Sequence, residues 1–362
     1  MSPLETLIRD RIAENGPISV ADYMELALGH PEHGYYKTGD PFGIAGDFIT
    51  APEISQVFGE LMGLWGAVTW QQMGSPEELV LVECGPGRGT LMKDFLRAAK
   101  SVPDFHSAID IHLVENSPAM RQRQKDTLSE YAPSWHETID TLPAGPMILI
   151  ANEFLDALPI SQCVYTDTGW TERLVDNGPN GFVFATGARA ADGPPDLSAA
   201  ARPGDIFETC PAAIGFANTL CKRLATASGA ALLIDYGHAR SAPGETLQAV
   251  RNHKFTDPLS NPGKADLTAH VDFDAMARTF TSGGAATYGP VTQSAFLNAL
   301  GIQERTQRLL QNASPDIRTE VSTATARLTE PAEMGDLFKV MVATSAEMPR
   351  LAGFESWVEE TC

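Results

Sequence analysis

The sequence predicts a doubly wound α/β fold, a parallel sheet with helices on both faces, and three observations carry that prediction. From Leu79 onward short aliphatic runs alternate with amphipathic stretches: LVLVE then MKDFLRAAK, IHLVE then AMRQRQKDTLSEY, then MILIANEF and, after an interruption, ALLIDYG. Alternation of this kind buries a sheet between two helical layers. A glycine turn, Gly85, Gly87 and Gly89, follows the first run, as at the strand-to-helix turn of a nucleotide-type site. Four of the runs end in polar residues, Glu83, Glu115, Asn152 with Glu153, and Asp235. Ligands of open α/β sheets bind beyond the carboxyl ends of the strands, so these side chains should share one rim.

Taken in chain order, residues 3 to 15 read as a helix stopped by Gly16-Pro17, and Ser19 with Asp22 forms a capping box for a second helix through Leu28. A loop rich in Gly, Pro and Tyr, HPEHGYYKTGDPFGIAGDFIT, leads to a longer helix from Thr50, with Ile54, Val57, Phe58, Leu61, Trp65 and Val68 at helical spacing. Gly59, Gly63 and Gly66 predict close packing on another face of that helix. Between Ser161 and Asp205, CVYTDTGWTERLVDNGPNGFVFATG alternates apolar and polar residues around Asp-x-Gly and Asn-Gly turns, which predicts a β-hairpin insertion. ETLQAV, AATYGPV and MGDLFKVMVAT supply the remaining strands, the last two as an antiparallel pair, and GARAADGPPD reads as a mobile loop. The expected domains are an N-terminal helical or lid region, 1–74, and a Rossmann-like core, 75–362, with a substrate-side insertion at about 161–205.

At 362 residues and 43% hydrophobic content the chain can bury a full core. A net charge of −20 opposes nucleic acid and anionic membrane surfaces and suits an arginine- or lysine-rich partner. Five scattered cysteines without a C-x-x-C pair predict neither a disulfide framework nor a zinc ribbon. MSPLETLIRDRIAENG is unlike a transit or secretory peptide, and no apolar run suffices for membrane insertion, so a soluble, intracellular, cytoplasmic protein is expected. His30 and His33 lack a third ligand at a telling spacing, so no metal is expected.

The turn reads G-x-G-x-G rather than the dinucleotide G-x-G-x-x-G. Glu83 just before it would repel a diphosphate but suits the ammonium of an amino-acid-bearing cofactor, which favours S-adenosylmethionine over NAD. Glu115 stands where an acid accepts hydrogen bonds from ribose hydroxyls. Asn152, Glu153 and Asp156 follow the run where the group to be modified would face the cofactor, and Asp235 ends the next one. Thr50 and Glu53 have capping-box spacing, whereas Asp47 and Phe48, which a cap does not need, are candidates to contact the ligand or its target. The candidate cofactor-binding residues are therefore Glu83, Gly85, Gly87, Gly89, Glu115, Asn152, Phe48 and Thr50. The candidate catalytic acids are Glu153 and Asp47, followed by Asp235 and Asp156.

The blocks GYY (34–36), GDFITAPEISQVFGE (46–60), ECGPGRGTLMKD (83–94), VENSP (114–118), ANEFLDALP (151–159), IDYGH (234–238), DLTAHVDF (266–273) and MGDLFKVM (334–341) resemble the MidA-type S-adenosylmethionine-dependent methyltransferases. That family includes the mitochondrial protein arginine methyltransferase needed for respiratory complex I assembly. The likeness spans nearly the whole chain without a departure in these blocks. It implies a class I methyltransferase fold, with Gly85, Gly87 and Gly89 against the methionine portion and Glu115 on the ribose. It also implies, for a chain of bacterial appearance, a protein arginine N-methyltransferase acting on a complex I core subunit or its bacterial equivalent. Two rivals use the same residues: a small-molecule methyltransferase, and an assembly factor that binds the cofactor without catalysis. A dehydrogenase is more distant. Target residue and oligomeric state are not legible.

Overall fold

A computed structural model describes residues 1–38, 49–189, 201–311 and 313–357. The chain divides into two compact units, one of Ile49–Leu155, Phe216–Ala239 and Phe273–Cys362, the other of Met1–Phe48, Asp156–Gly215 and Arg240–Asp272. The first break therefore falls after Phe48 rather than at 74, because the helix that follows packs into the core of the sheet-bearing unit.

Among the described residues that unit is built on seven strands: β1 Leu79–Cys84, β2 Ile109–Val114, β3 Ser134–His136, β4 Met147–Asn152, β5 Gly229–His238, β6 Ala286–Thr292 and β7 Phe338–Thr344. Their spatial order is β3-β2-β1-β4-β5-β7-β6. The first five run parallel, and β7 is antiparallel to both neighbours. β1 and β4 are buried along their whole length, which explains why they read as unbroken apolar runs. The chain winds outward from β1 to β3 and then returns beside β1 as β4, so the order reverses between β1 and β4. At such a switch point the connections leave in opposite directions and open a crevice.

The helix expected from Thr50 is two pieces. A short turn, Ala51–Ile54, ends at Ser55 with φ −151 and ψ 127, and α1 (Gln56–Gln72) starts after it with the Ser55 hydroxyl accepting the Val57 N–H at 3.2 Å. Thr50 precedes the first piece without a side-chain cap, and Glu53 does not reach back to it. Instead Glu53 accepts the Thr90 hydroxyl at 2.6 Å and lies 3.8 Å from the Arg88 guanidinium. Two polar partners, one within the glycine turn and one just after it, outcompete a local cap.

The glycine stripe of α1 packs on α2 (Thr90–Ala99). A Cβ on Gly63 would lie 2.4 Å from the Phe95 carbonyl oxygen, and one on Gly59 would lie 2.6 Å from Asp94 Cβ. Because backbone cannot swing aside as a side chain can, Gly63→Ala is expected to cost about 1–3 kcal/mol in chemical denaturation. A cost near zero would mean that the two helices are free to separate.

The other unit opens with the two expected helices, Pro3–Asn15, which ends at Gly16 (φ 85), and Val20–Gly29, capped by Ser19, whose hydroxyl accepts the Asp22 N–H at 2.9 Å. The expected hairpin is part of a larger antiparallel sheet: Gly169–Gly178 pairs with Ile18–Ser19, Ser161–Thr166 and Gly181–Arg189, and Ser161–Thr166 also pairs with Ile206–Thr209. Val175 and Phe182 bury against Leu4, Ile8 and Ile12. The strand from ETLQAV, Gln248–Arg251, lies in a separate three-stranded sheet with Lys254–Thr256 and Asp266–Thr268, not in the main sheet. AATYGPV and the end of MGDLFKVMVAT do form the antiparallel pair β6 and β7. Most of GARAADGPPD lies outside the described residues. Among the described residues no helix is long and apolar enough to cross a membrane.

Candidate active site

Strand register builds the rim. Cys84 of β1 is level with Val114 of β2 and Ala151 of β4, so Gly85, Glu115 and Asn152 come one step later on three adjacent strands. Asn152 is level with Ile234 of β5, which puts Asp235 one step beyond it. The predicted convergence at the strand ends is therefore present in the sheet.

Gly85, Gly87 and Gly89 all have left-handed φ, 64, 51 and 81 respectively. A Cβ at Gly85 would also stand 3.0 Å from the Phe154 ring. Side chains rarely adopt these angles, so the turn needs glycine for its shape as well as for close approach. One residue that the motif did not reveal holds the turn against the acid of β2. Gln124, fully buried on α3 (Pro118–Thr127), donates from Nε2 to the Gly87 carbonyl at 2.8 Å and to Glu115 Oε2 at 3.2 Å. Its Oε1 accepts the Trp135 indole N–H at 2.8 Å, which fixes the amide's orientation. The other carboxylate oxygen of Glu115 accepts the Ser117 N–H at 2.8 Å, and the Arg121 guanidinium donates to the Glu115 carbonyl at 2.7 Å. Gln124→Glu would set a carboxylate against Glu115 and the Gly87 carbonyl, and is expected to weaken nucleoside-cofactor binding about 10–100-fold by calorimetry. Unchanged affinity would make the bridge irrelevant to the site.

At the switch point two buried acceptors lack hydrogen-bond partners among the described residues, Glu83 Oε2 and Asn152 Oδ1. Glu83 is 3% exposed, and burial pushes its carboxyl up to about 8, with a hydrogen bond from the Met92 backbone opposing the shift. Orphaned buried acceptors are costly unless a ligand supplies the donors. A cationic, hydrogen-bond-donating ligand would satisfy both.

Glu153 follows β4 with φ 51, an uncommon angle for a side chain of this size. Its Oε1 accepts the Ala51 N–H at 2.9 Å and the Asn152 amide at 3.2 Å, and its own N–H bonds the Ile234 carbonyl at 2.9 Å. Asp235, 1% exposed, plays a different part. Its Oδ2 accepts the Phe154 and Leu155 N–H groups at 3.1 and 2.9 Å, and its Oδ1 accepts the Tyr236 N–H at 3.0 Å. These bonds make it a clamp on the turn that carries Glu153. Asp156 belongs to the other unit, where its carbonyl accepts the Ala269 N–H at 3.0 Å. There the Tyr36 hydroxyl donates to Asp266 at 2.6 Å. Burial of the hydroxyl, Asp266 and then Asp156 hold that phenol well above its ordinary range. Asp47 and Phe48 lie outside the described residues. His30 serves its own turn, Nδ1 accepting the Glu32 and His33 N–H groups at 3.2 Å. Among the described residues no group of three or more His, Cys, Asp or Glu could hold a metal ion.

The family model of S-adenosyl-L-methionine-dependent methyltransferases matches residues 61–291. This chain belongs to that family. Its relatives include proteins named "Protein arginine methyltransferase NDUFAF7, mitochondrial". That of Danio rerio is 37% identical over 92% of this chain and 84% of its own length, and that of Homo sapiens is 36% identical over 93% and 82%. A Burkholderia thailandensis protein, 30% identical, superimposes with a TM-score of 0.85 over 99% of this chain and 96% of its own, and its crystal structure holds S-adenosyl-homocysteine. The protein is therefore an S-adenosylmethionine-dependent methyltransferase with the doubly wound fold expected. The methyltransferase cofactor fits what the site offers: its amino-acid ammonium would supply donors to the orphaned acceptors of Glu83 and Asn152, and the left-handed glycines leave the turn without side chains.

Proposed function

We propose that this methyltransferase is a protein arginine N-methyltransferase whose substrate is a respiratory complex I subunit or its bacterial equivalent. The names of relatives 36–37% identical along nearly the whole chain support arginine as the target. The observation in the molecule that carries the reading is Glu153, a glutamate kept at a left-handed φ beside the switch point. Such strain persists where surrounding bonds enforce it and a function uses it.

S-adenosylmethionine, when bound, supplies a methyl group on a sulfonium and needs no covalent intermediate with the protein. Glu83, the glycine turn, Glu115 and Asn152 would hold it, and Gln124 keeps the turn and Glu115 in register. Guanidinium is a poor nucleophile because it stays protonated, with a pKa of roughly 12.5–13.8. Glu153 would bind it by charge-assisted hydrogen bonds, localise lone-pair density on one nitrogen and receive the proton. The Ala51 N–H and the Asn152 amide hold one Glu153 oxygen in place, and Asp235 fixes the turn beneath it. Asp47 and Asp156 are the further acids proposed to face the substrate. Phe48 and Thr50 are the further residues proposed on the cofactor side.

The test is incubation of the purified protein with methyl-labelled cofactor and extract from cells lacking it, with mass spectrometric location of the label. Label on an arginine of a respiratory-chain subunit is the expected result. Label only in small metabolites would overturn it in favour of a small-molecule methyltransferase. Cofactor binding without transfer, with the partner shown to be present, would favour a non-catalytic assembly factor.

A further inference from the structure

We propose that Glu53 is a positioning residue for methyl transfer, tying Glu153 to the glycine turn that holds the cofactor. This role presupposes Glu153 as the acid that faces the substrate. The link starts at Ala51, whose N–H donates to Glu153 Oε1 at 2.9 Å. Ala51 opens the four-residue turn Ala51–Ile54. Two residues on, the Glu53 carboxylate points out of that turn, its Oε1 accepting the Thr90 hydroxyl at 2.6 Å and its Oε2 lying 3.8 Å from Arg88. Arg88 and Thr90 flank Gly89, the last of the left-handed glycines, at φ 81. One short segment thus bonds Glu153 at one end and the glycine turn at the other.

Local helix chemistry does not account for this carboxylate. Its spacing from Thr50 suits a capping box, yet the Thr50 side chain caps nothing, and four residues sum to a small helix dipole for an acid to meet. A partly solvated Glu–Arg pair at 3.8 Å adds little stability by itself. What the arrangement does supply is orientation. Ala51 and Pro52 are buried, and apolar packing of that kind has no preferred direction. Ser55, extended at φ −151, separates the turn from α1, so the long helix does not continue into it. So short a helical piece is not held by its own hydrogen bonds. A hydroxyl donating to a carboxylate at 2.6 Å is short, directional and charge-assisted. That bond sets how the turn, and with it the Ala51 N–H, stands against Gly89.

In-line displacement makes that orientation matter. The nucleophile must lie on the line through the methyl and the departing sulfur, and a misplacement of about 1 Å costs on the order of 100-fold in rate. The Glu153 N–H on the Ile234 carbonyl and the Asp235 clamp place its backbone relative to the sheet. The link through Ala51 and Glu53 places its carboxylate relative to the cofactor. Gln124 binds the Gly87 carbonyl from α3, so the glycine turn keeps a brace when Glu53 is removed. Loss of Glu53 should therefore loosen the acid rather than the cofactor.

The experiment uses the full chain, methyl-labelled S-adenosylmethionine and extract from cells lacking the protein, with label transfer followed in a single turnover and cofactor affinity by calorimetry. Glu53→Ala should slow transfer at saturating cofactor about 10–100-fold while cofactor affinity stays nearly unchanged. Glu53→Gln keeps an oxygen for the Thr90 hydroxyl and should restore most of the rate. Thr90→Val removes that hydroxyl with little change of shape, so it should reproduce the loss even where Glu53→Ala does not fold. In a Glu153→Gln background Glu53→Ala should add little, because residues that act through one another are not additive. Additive losses, or cofactor affinity lost in step with transfer, would overturn the proposal. So would wild-type rates in Glu53→Ala and Thr90→Val beside an inactive Glu153→Gln, which would leave the reading of Glu153 standing. Wild-type transfer by Glu153→Gln would overturn that reading and this proposal with it.

Discussion

Replacing Glu153 by glutamine is expected to lower kcat by about 10²–10⁴-fold, the range for removal of a positioned acid–base group, while S-adenosylmethionine affinity stays within about twofold. The amide has the same shape and its oxygen still accepts the Ala51 N–H, so the turn survives. What it loses is the negative charge that would orient a guanidinium and take its proton. Because the effect falls on proton removal, the residual rate should also recover as pH is raised. Isothermal titration for the cofactor and single-turnover methylation of the identified substrate separate the two quantities. Loss of cofactor binding together with activity would move Glu153 to the cofactor's side of the site, and full activity would remove it from the chemistry. Asp235→Asn makes a useful contrast. Its carboxylate holds three backbone N–H groups at 2.9–3.1 Å, so its loss should lower thermal stability as well as turnover.

The parts of this protein legible in its sequence are those where one local pattern has one physical cause. LVLVEC and MILIAN read as central strands because both faces are covered, and their terminal acid and amide appear where the register brings them together. Ser19 and Asp22 announce a helix start because the cap is made within four residues. Thr50 and Glu53 carry the same spacing and mislead, since the Thr90 hydroxyl and Arg88, far along the chain, claim the Glu53 carboxylate. ETLQAV alternates like any strand, and alternation does not say which sheet a strand will join. Gln124 was illegible for a related reason. Its partners Gly87, Glu115 and Trp135 come from three separate segments, and within RQRQK it looks like solvated helix surface.

Glu83 should make cofactor binding depend on pH near neutrality, where an ordinary carboxylate, already ionised, would have no effect. With burial raising it to about 8, the free enzyme keeps this group protonated at neutral pH, and pairing with the cofactor ammonium requires the proton to leave. Affinity should therefore rise about 20-fold from pH ~6 to ~8, if the ammonium itself titrates at roughly 7.8, and fall above that as the ammonium is lost. Glu83→Gln should flatten the rise and weaken binding about 10–100-fold near pH 8, the worth of a charge-assisted hydrogen bond. Stability must move the other way. The unfolded chain releases this proton above about 4.5 while the folded chain holds it to about 8, so the wild type loses stability as pH rises through that window. The loss is up to about 1.4 kcal/mol per pH unit, and glutamine, which has no proton to lose, escapes it. The cofactor-free variant should accordingly melt above the wild type, by a margin that grows from pH ~5 to ~8. Both quantities come from the same two proteins, by calorimetric titration and thermal melting. A wild type that binds equally well across the range, or a margin that shrinks with pH, would mean that the buried carboxyl is already ionised before the cofactor arrives. The cation it waits for would then have to be another one.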